Sequence, residues 1–519
     1  MAFVNFLDHG ARRHPDQTCL QMGSLRLSYR ELQRLSYRIG NKLASLGLGR
    51  GSHASVLAAN DLMAFACVFG FSRAGVTWVP ANPKLSADDI QYQCDFFDCS
   101  IVIFQQGFAA MMQQLRPSLP NVRHFVCLDA ELPGFPSLER WLEGAGDAPL
   151  EVLTEADDLA MIMPTGGTTG RSKGVSLTNR SINTFVGTCL YCFGYPHDQR
   201  PSVLAAAPLT HASGLLSLHA MTRGGRVVII PKADPAEMLD VIEQERITEF
   251  FLPPTVIYRM LDVPGVEKRD FSSVRYFVYA AAPISVEKLK QAVKVFGPCM
   301  TQVFGQAEAP AVCTFLSPRD HFEPDGSIGS DERLGSCGYP TPMVQIKILD
   351  DDNAEVADGQ RGEICVKSDL VMKGYYKKPD ITAATIVDGW LHTGDIGFKD
   401  AAGRVHIADR KKDMIISGGF NIYPQEIEQV VWSHPAVQDC AVVGVPDADW
   451  GEAVKVVVEL NAGAKATEAE LIALCKKELG SLRTPKSVDF VETLPRSPNG
   501  KVLKREIRDR YWVGRERKI

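Results

Sequence analysis

Apolar residues in the first 160 positions follow two alternating patterns, one with helical spacing and one in short continuous runs. In the segment SYRELQRLSYRIGNKLASLGLG, apolar residues recur every three or four positions, at Leu32, Leu35, Ile39 and Leu43. This spacing predicts an amphipathic helix that ends at the glycines. The runs HASVLAAN and SIVIFQQ are short and apolar, which is typical of buried strands.

The same alternation continues to about residue 330, and then the pattern changes. The runs SVLAAAPL, RVVIIP, ITEFFLPP and VRYFVYAAAP indicate further strands of an α/β fold with mainly parallel sheets. After residue 330, the segment MVQIKILDDDNAEVADGQRGEICVKS alternates strand-like runs with turns rich in Asp, Asn and Gly. This second pattern predicts a β-rich subdomain built from hairpins.

The length and one charged segment suggest how the chain divides. At 519 residues the chain exceeds the size of a single hydrophobic core, so we expect at least two domains. The segment HIADRKKD precedes a new pattern of strand, turn, helix and strand, which favours a boundary there. We predict a large N-terminal domain over residues 1–408, a hinge over 409–412 and a small α+β C-terminal domain over 413–519.

Composition and charge argue against several classes of protein. Charged residues make up 23% of the chain and the net charge is −6, which argues against a nucleic-acid partner. The segment MAFVNFLDHGARRHPDQ lacks the apolar core of a signal peptide, and no run of eighteen apolar residues predicts a membrane span. We expect a cytoplasmic protein without stable membrane insertion, and the sequence leaves open whether it forms a homodimer.

The thirteen cysteines are scattered through apolar segments and have no framework spacing, which indicates reduced thiols. One CLYC pair, Cys189 and Cys192, has the spacing of a metal or redox site. No second pair accompanies it and its surroundings are apolar. We therefore expect both residues to be buried as small apolar side chains.

The segment PTGGTTGRSKG, residues 164–174, has the composition of a phosphate-binding loop. Its four glycines let backbone N–H groups approach an anion closely, and its hydroxyl and cationic side chains add donors. The spacing does not match the P-loop pattern G-x-x-x-x-G-K-[ST], because Gly174 follows Lys173. Taken alone, a surface turn explains the segment about as well as a phosphate loop does.

Six motifs in a fixed order point to a known family. They are PTGGTTGRSKGV, PLTHASGL, FGQAEAP, GYYKKPDITAATIVDGWLHTGDIG, DRKKDMIISGGFNIYPQEIE and LPRSPNGK. With them, the chain resembles over essentially its full length the adenylate-forming superfamily of acyl- and aryl-CoA synthetases, beetle luciferases and peptide-synthetase adenylation domains. The resemblance implies two parallel or mixed αβ layers and a distorted β-barrel in the large domain. It also implies a C-terminal domain that rotates between two half-reactions.

The resemblance implies a site for ATP and Mg²⁺. Glu308 matches the acidic residue that holds Mg²⁺ against the phosphates. Asp395 matches the residue whose carboxylate accepts hydrogen bonds from both ribose hydroxyls. The residues expected to contact ATP or AMP are Thr165, Gly166, Gly167, Thr168, Thr169, Gly170, Lys173, Ala281, Ala282, Pro283, Phe304, Gly305, Gln306, Ala307, Asp395 and Arg410.

The resemblance also implies catalytic residues, an acyl pocket and a tunnel for coenzyme A. Lys501 would stabilise charge that develops between the carboxylate and the α-phosphate, and His211 would lie at the carboxylate end of the pocket. Lys412 would be the hinge residue. The acyl pocket would contain His211, Tyr279, Ala280 and Ala281, and the tunnel Gly418, Gly419 and Asn421.

Two departures from the family pattern bear on activity. Ala307 stands where the family commonly has a threonine that contacts the α-phosphate, and loss of one hydrogen bond costs only about 0.5–1.5 kcal/mol. Ala280 and Ala281 stand where the family often has glycine. Their methyl groups could narrow the acyl pocket, and core packing explains them equally well.

The resemblance implies an ATP-dependent acid–thiol ligase. A carboxylic acid and ATP would give acyl-AMP and pyrophosphate, and coenzyme A would then give acyl-CoA and AMP. We expect a medium-chain fatty, alicyclic or aryl acid, because no charged residue could be assigned to a second polar group on the substrate. Two alternatives stay open: a stand-alone enzyme that loads a carrier protein, and a non-catalytic nucleotide- or acyl-binding protein, which Ala307 alone suggests.

Overall fold

The computed structural model describes residues 1–151, 154–165, 171–210, 212–497 and 501–513. Residues 1–150 contain β1 (Thr18–Met22), β2 (Leu25–Ser28), β3 (His53–Leu57), β4 (Thr77–Ala81), β5 (Cys99–Phe104), β6 (His124–Cys127), α1 (Val4–Arg13), α2 (Tyr29–Ser45), α3 (Leu62–Arg73), α4 (Ala87–Phe96), α5 (Ala109–Leu115) and α6 (Leu138–Trp141).

The next part of the chain continues the alternation of strands and helices. It contains β7 (Leu159–Thr165), β8 (Lys173–Thr178), β9 (Ser202–Ala205), β10 (Arg226–Ile229), β11 (Glu249–Leu252), β12 (Tyr276–Tyr279), β13 (Met300–Gln306), β14 (Ala309–Leu316), α7 (Asn179–Cys192), α8 (Ala212–Leu216), α9 (Leu218–Thr222), α10 (Pro235–Gln244), α11 (Pro254–Leu261) and α12 (Val286–Phe296).

From residue 331 onward strands predominate. The elements up to Arg410 are α13 (Asp331–Leu334), β15 (Tyr339–Pro340), β16 (Gln345–Leu349), β17 (Gly362–Lys367), β18 (Gly374–Tyr375), α14 (Pro379–Thr385), β19 (Ile386–Val387), β20 (Trp390–Lys399) and β21 (Val405–Arg410). The last elements are β22 (Ile415–Ser417), β23 (Phe420–Ile422), α15 (Pro424–Trp432), β24 (Val437–Asp447), β25 (Gly451–Leu460), α16 (Glu468–Leu479), β26 (Ser487–Val491) and α17 (Lys504–Asp509).

The helix predicted from apolar spacing is α2, and its boundaries have a local cause. Ser28 caps the first turn by accepting a hydrogen bond from the backbone N–H of Glu31, whose side chain bonds back to Ser28. Leu32, Ile39 and Leu43 are buried, as their spacing predicts. The helix ends two residues before Gly47, which adopts a φ of 71° that glycine accommodates without strain.

Two large sheets hold most of the N-terminal part, and both are largely parallel, as predicted. One has seven strands in the order β18-β8-β7-β4-β3-β5-β6, and the other has nine in the order β15-β14-β13-β12-β11-β9-β10-β1-β2. The central pairs β3–β4, β3–β5, β11–β12 and β12–β13 are parallel. Because the C-terminal ends of parallel strands share one edge, β11, β12 and β13 deliver the loops that follow them to one place.

A third sheet corresponds to the predicted hairpin-rich region. Its order is β16-β17-β20-β19, with β21 paired to β20, and the pairings are antiparallel. Among the described strands this order has two open ends, so the barrel that the resemblance implied is an open sheet here.

The C-terminal part forms its own sheet and core. Strand β25 of the β24–β25 hairpin also pairs with β26 and with β22, and β23 pairs with β22. Ile427 of α15 and Leu471 of α16 are buried against this sheet. Strand β21 extends to Arg410 and β22 begins at Ile415, so the sheets divide just after the start of the predicted hinge at 409–412. The domain bounds stay a prediction.

The thirteen cysteines are buried and none forms a disulfide. Cys189 and Cys192 lie on α7 with their side chains in the main hydrophobic core. Burial raises the pKa of both thiols, so they stay protonated and behave as small apolar groups. Among the described residues, no helix is both long and apolar enough to span a bilayer.

Candidate active site

The predicted phosphate loop connects two antiparallel strands, whose last pair is Thr165 and Lys173. The hydroxyl of Ser172 donates to the carbonyl of Thr165 over 2.9 Å and so closes the base of the loop. The loop residues Gly166, Gly167, Thr168, Thr169 and Gly170 lie outside the described residues, as does His211 of the predicted acyl pocket. The structure therefore places the two ends of this loop, with Lys173 at its exit.

The side chain of Tyr375 contacts both Lys173 and Glu308, the predicted magnesium ligand. Its Nζ lies 4.8 Å from the centre of the Tyr375 ring, a favourable position for a cation over an aromatic face. The hydroxyl of Tyr375 donates to Oε1 of Glu308 over 2.7 Å. Burial, followed by the charge of Glu308, raises the pKa of Tyr375, so the phenol remains a proton donor. These contacts bring Lys173 and Glu308 to one side of the site.

Glu308 lies in the turn between β13 and β14, and its backbone carbonyl accepts from the N–H of Met372. A carboxylate offers about four acceptor positions, of which Tyr375 takes one, so oxygen ligands remain for a hard cation. The donor chemistry of Glu308 therefore fits Mg²⁺. The other predicted residues of this motif, Phe304, Gly305, Gln306 and Ala307, lie at the end of β13 or in the same turn.

Asp395 is the buried acid of the site. Strands β20 and β21 pair it with Arg410 directly opposite, and Nε of Arg410 lies 2.8 Å from Oδ1 of Asp395. Its Oδ2 is buried and has no hydrogen-bond partner among the described residues. Such an atom is costly to leave unpaired, so a ligand hydroxyl at Oδ2 would be stabilising. Burial raises the pKa of Asp395, and the charges of Arg410 and Lys501 oppose this rise.

Lys501 lies near Asp395 and Arg410 although it is more than 90 positions away in the sequence. Its side chain is exposed to solvent, but the protein atoms around it still remove part of its hydration. Loss of hydration and the charge of Arg410 lower its pKa to about 8, whereas Asp395 opposes this shift. The backbone N–H of Lys501 donates to the hydroxyl of Ser497, which fixes the turn before it. The structure thus brings the predicted catalytic lysine to the predicted ribose ligands.

A buried ion cluster ties the segment after Lys501 to the strand that carries Arg410. Nζ of Lys504 lies 2.8 Å from Oε1 of Glu428 on α15 and 3.6 Å from Oδ2 of Asp409 on β21. Burial lowers the pKa of Lys504, but the charges of Asp409 and Glu428 outweigh it and raise the pKa overall. No role was predicted for Lys504, although the sequence has a signal there, a charged residue three positions after Lys501.

Three of the predicted acyl-pocket residues, Tyr279, Ala280 and Ala281, lie at the end of β12 and directly after it, and the side chain of Tyr279 does not lie where the prediction put it. The side chain of Tyr279 is fully buried in the second hydrophobic core, where its hydroxyl donates to Nε2 of His321 over 3.0 Å. Burial lowers the pKa of His321 to about 4, so the imidazole stays a neutral acceptor. Tyr279 therefore faces the helices behind the sheet, because side chains alternate between the two faces of a strand.

Ala280 and Ala281 differ in burial and in backbone conformation. Ala280 is half-buried against the first core, whereas Ala281 is exposed and has a φ of 73°. That conformation favours glycine and costs an alanine about 1–2 kcal/mol. Ala282 is half-buried and Pro283 is exposed. Of the two alanines, only Ala280 is packed like a pocket wall.

The residues predicted for the hinge and the thiol tunnel lie beyond β21. Lys412 is in a short 3₁₀ turn over Lys411–Asp413, and burial lowers its pKa. Gly418 and Gly419 form the turn between β22 and β23, with φ values of 58° and 82° that suit glycine. Asn421 is exposed on β23. The tunnel and its residues stay a prediction.

The fold and the motifs agree with comparisons to known proteins. Residues 7–376 match the family of AMP-binding enzymes, and residues 426–501 match the AMP-binding enzyme C-terminal domain. The chain belongs to the AMP-binding enzyme family. This confirms the resemblance to adenylate-forming enzymes and the expected division into a large N-terminal and a small C-terminal part.

Similar proteins within this family include ligases of organic acids. The chain is 35% identical to the medium/long-chain-fatty-acid–CoA ligase FadD8 of Mycobacterium tuberculosis, covering 98% of this chain and 90% of FadD8. It is 33% identical to a feruloyl-CoA synthase of Amycolatopsis (96% and 97%) and 31% identical to the fatty acid–[acyl-carrier-protein] ligase ScoC of Streptomyces coeruleorubidus (98% and 96%). The crystal structure of ATP-bound MatB from Rhodopseudomonas palustris superposes with a TM-score of 0.88 at 29% identity, covering 98% of this chain and 99% of MatB.

Proposed function

We propose that this protein is an AMP-forming acid–thiol ligase that converts a carboxylic acid, ATP and coenzyme A into acyl-CoA, AMP and pyrophosphate. The observation that carries the proposal is Asp395, a buried carboxylate with one unpaired oxygen, beside Arg410 and Lys501. Its free oxygen suits a ribose hydroxyl, and the two cations suit the charge around an α-phosphate. The FadD8 and feruloyl-CoA synthase relatives support an acid–thiol ligase.

The first half-reaction forms a mixed anhydride. A carboxylate oxygen of the acid attacks the α-phosphorus of ATP, and the bond to the β-phosphate oxygen breaks to release pyrophosphate. Lys501 supplies a positive charge where negative charge collects during the attack, and Lys173 suits the departing phosphates. Glu308 would hold Mg²⁺, which neutralises phosphate charge. Asp395 and Arg410 orient the ribose.

The second half-reaction transfers the acyl group to sulfur. The thiol of coenzyme A attacks the acyl carbon, loses its proton, and AMP leaves with the electrons of the acyl–oxygen bond. The thiol is the nucleophile, so no protein nucleophile is needed. We further propose that the lobe after residue 412 rotates between the two steps, which would bring Gly418, Gly419 and Asn421 to the thiol.

A carrier protein in place of coenzyme A is the second candidate, and the similarity to ScoC favours it. Both acceptors present a phosphopantetheine thiol, so the site described above serves either one.

The test combines pyrophosphate release with detection of the thioester. Purified protein is incubated with ATP, Mg²⁺ and a panel of fatty, alicyclic and aryl acids, with coenzyme A or a phosphopantetheinylated carrier as acceptor. We expect acid-dependent pyrophosphate and acyl-CoA, both lost in Lys501→Ala. Lys477→Ala, an exposed lysine paired with Glu478 on the same lobe, serves as the matched control. Absence of acid-dependent pyrophosphate from the wild-type protein would refute the proposal.

A further inference from the structure

One face of α15 contacts the part of the protein that precedes the predicted hinge. The helix spans Pro424–Trp432, and Ile427 on its other side is buried in the core of the C-terminal lobe. Tyr423, Glu426 and Gln429 follow one another at intervals of three residues, so their side chains lie along one side of the helix. We call these three residues the contact face of α15.

Gln429 makes the first contact, with the segment that follows β12. Its Nε2 donates to the carbonyl of Ile284 over 2.8 Å, and its Oε1 accepts from the backbone N–H of Val286 over 3.2 Å. Val286 is the first residue of α12, and the N–H groups of a first helical turn have no partner within their helix. A single side-chain amide therefore satisfies a backbone donor and a backbone acceptor of another part of the chain.

This contact lies directly beside residues predicted to bind the nucleotide. Ile284 is buried and follows Pro283, the last residue of that predicted segment. The next residue, Ser285, is also buried, and its N–H donates to the hydroxyl of Tyr258 on α11 over 2.8 Å. The segment is therefore held from one side by the large N-terminal part and from the other by Gln429 of the lobe.

The second contact of this face is charged. Arg361, which directly precedes β17, pairs with Glu426, and its Cζ lies 4.4 Å from the centre of the Tyr423 ring. A cation over an aromatic face is stabilising. Tyr423 also packs against Ile396 and Ala408 of the third sheet. The side chains of Arg361 and Glu426 are partly exposed, so we expect this ion pair to contribute less than the two hydrogen bonds of Gln429.

Both contacts belong to the orientation of the lobe that brings Lys501 near Asp395. Helix α15 is part of the lobe, whereas Ile284 and Arg361 belong to the large N-terminal part. The lobe therefore cannot rotate away without breaking both contacts. The backbone groups that Gln429 satisfies would then have to bind water instead. The contacts consequently lower the free energy of this orientation relative to orientations that lack them.

We propose that Gln429 is a positioning residue that holds the lobe in the orientation for adenylation, with Arg361 and Glu426 as a second, weaker point of attachment. This inference rests on the proposed function, because it assumes two half-reactions and a rotating lobe. None of the three residues contacts reacting atoms. They act instead on the fraction of molecules in which Lys501 lies at the site.

The first experiment removes both hydrogen bonds with Gln429→Met, which keeps the length of the side chain. Adenylation, measured by pyrophosphate exchange, should fall about 5- to 30-fold, because two hydrogen bonds specific to one orientation are lost. Transfer from preformed acyl-adenylate to coenzyme A should change less than about two-fold, since that step does not use this orientation. Gln438→Met makes the same exchange on β24 of the same lobe, at a side chain that takes part in neither contact, and is the control.

Thermal unfolding confirms that both variants are folded at the assay temperature. Unchanged adenylation in Gln429→Met, or an equal loss in both half-reactions, would overturn the inference. Inactivity of the wild-type protein on every acid would instead refute the proposed function.

The second experiment tests the charged contact. Arg361→Met should slow adenylation about 2- to 5-fold, and Arg361→Lys should restore most of the rate. The difference between the wild type and Arg361→Met should shrink in about 1 M salt, because salt screens a partly exposed ion pair. The effect of Gln429→Met should persist there. A loss in Arg361→Met that is the same at low and high salt would refute the part assigned to this ion pair.

Hydrogen exchange tests the contact of Gln429 without any substrate. In the wild type, Gln429 protects the N–H of Val286 at the start of α12. Exchange in a peptide that spans residues 282–290 should be several-fold faster in Gln429→Met than in Gln438→Met. Equal exchange in the two variants would show that the lobe does not hold this segment and would overturn the inference, whatever acid the enzyme uses.

Discussion

The two regions that meet at Asp395 differ in how firmly the protein holds their functional side chains. On the N-terminal side, Asp395, Glu308 and Tyr375 are held by strand pairing and side-chain hydrogen bonds, with Asp395 only 4% exposed. On the C-terminal side, Lys501 is exposed at the end of a turn and reaches the site from another lobe. The first region is preorganised to bind a ligand. The second supplies one charge, and its effect depends on how the lobe is held.

Removing the charge of Lys501 should have the largest effect on activity. Lys501→Ala should lower the rate of acyl-adenylate formation by about 100- to 1,000-fold, the usual consequence of losing a group that stabilises developing charge. Thioester formation from preformed acyl-adenylate should change little, since the preorganised side stays intact. Pyrophosphate exchange measures the first step and single-turnover transfer to coenzyme A the second. Equal loss in both steps would contradict the division between the regions.

The lowered pKa of Lys501 predicts that adenylation depends on pH, which separates its role from that of the residues on the N-terminal side. Its pKa is lowered to about 8, so the ammonium form is lost as pH rises through that value. Adenylation should therefore decline between about pH 7.5 and 9, by up to ten-fold per unit once Lys501 is mostly neutral. In Lys501→Arg the decline should disappear, because a guanidinium stays protonated. A decline that persists in Lys501→Arg would assign it to another group.

Some residues of the site could be predicted from the sequence and others could not, for a physical reason. Glu308, Asp395, Arg410 and Lys501 were found because each lies within a compact motif. Tyr375 also lies within a quoted motif, but its role was missed because it depends on a contact with a residue 67 positions away. Pairings of that kind arise from the order of strands in a sheet, which local patterns do not encode.

The buried pair of Glu249 and His219 was missed although a signal existed. Glu249 interrupts the apolar run ITEFFLPP, and an acid in a buried strand needs a partner. The position of His219, 30 residues earlier, could not be inferred because it requires knowing that α9 packs against the start of β11. For Tyr279, the motif indicated the right segment but not which face of β12 the side chain takes.

A smaller effect is expected where the two regions are joined, at Lys504. Lys504→Met breaks its contacts with Glu428 and Asp409 and should slow adenylation roughly ten-fold, about 1.4 kcal/mol, while transfer from preformed acyl-adenylate stays near wild type. Lys504→Arg should restore most of the rate. Arg505→Ala, which removes an exposed ion pair with Asp509 on the same helix, is the control.

Thermal unfolding separates this positioning role from a loss of folding. Removing one partner of a buried pair is destabilising, so Lys504→Met should also unfold at a lower temperature. If the two half-reactions fall together in parallel with the folded fraction, Lys504 only stabilises the lobe. If the first step falls alone at a temperature where the variant is folded, the cluster positions Lys501.

The smallest effects are expected from two adjacent alanines on the preorganised side. Ala281→Gly should raise the free energy of unfolding by about 0.5–1 kcal/mol, because glycine adopts the positive φ without strain, and it should leave the range of acids unchanged. Ala280→Gly removes a methyl group that packs against the core and should admit bulkier acids at a small cost in stability. The two variants delete the same atoms at neighbouring positions, so each is the control for the other. Denaturant unfolding together with a panel of branched and linear acids measures both. A broadened range in Ala281→Gly and none in Ala280→Gly would show that the pocket wall lies on the exposed side of this segment.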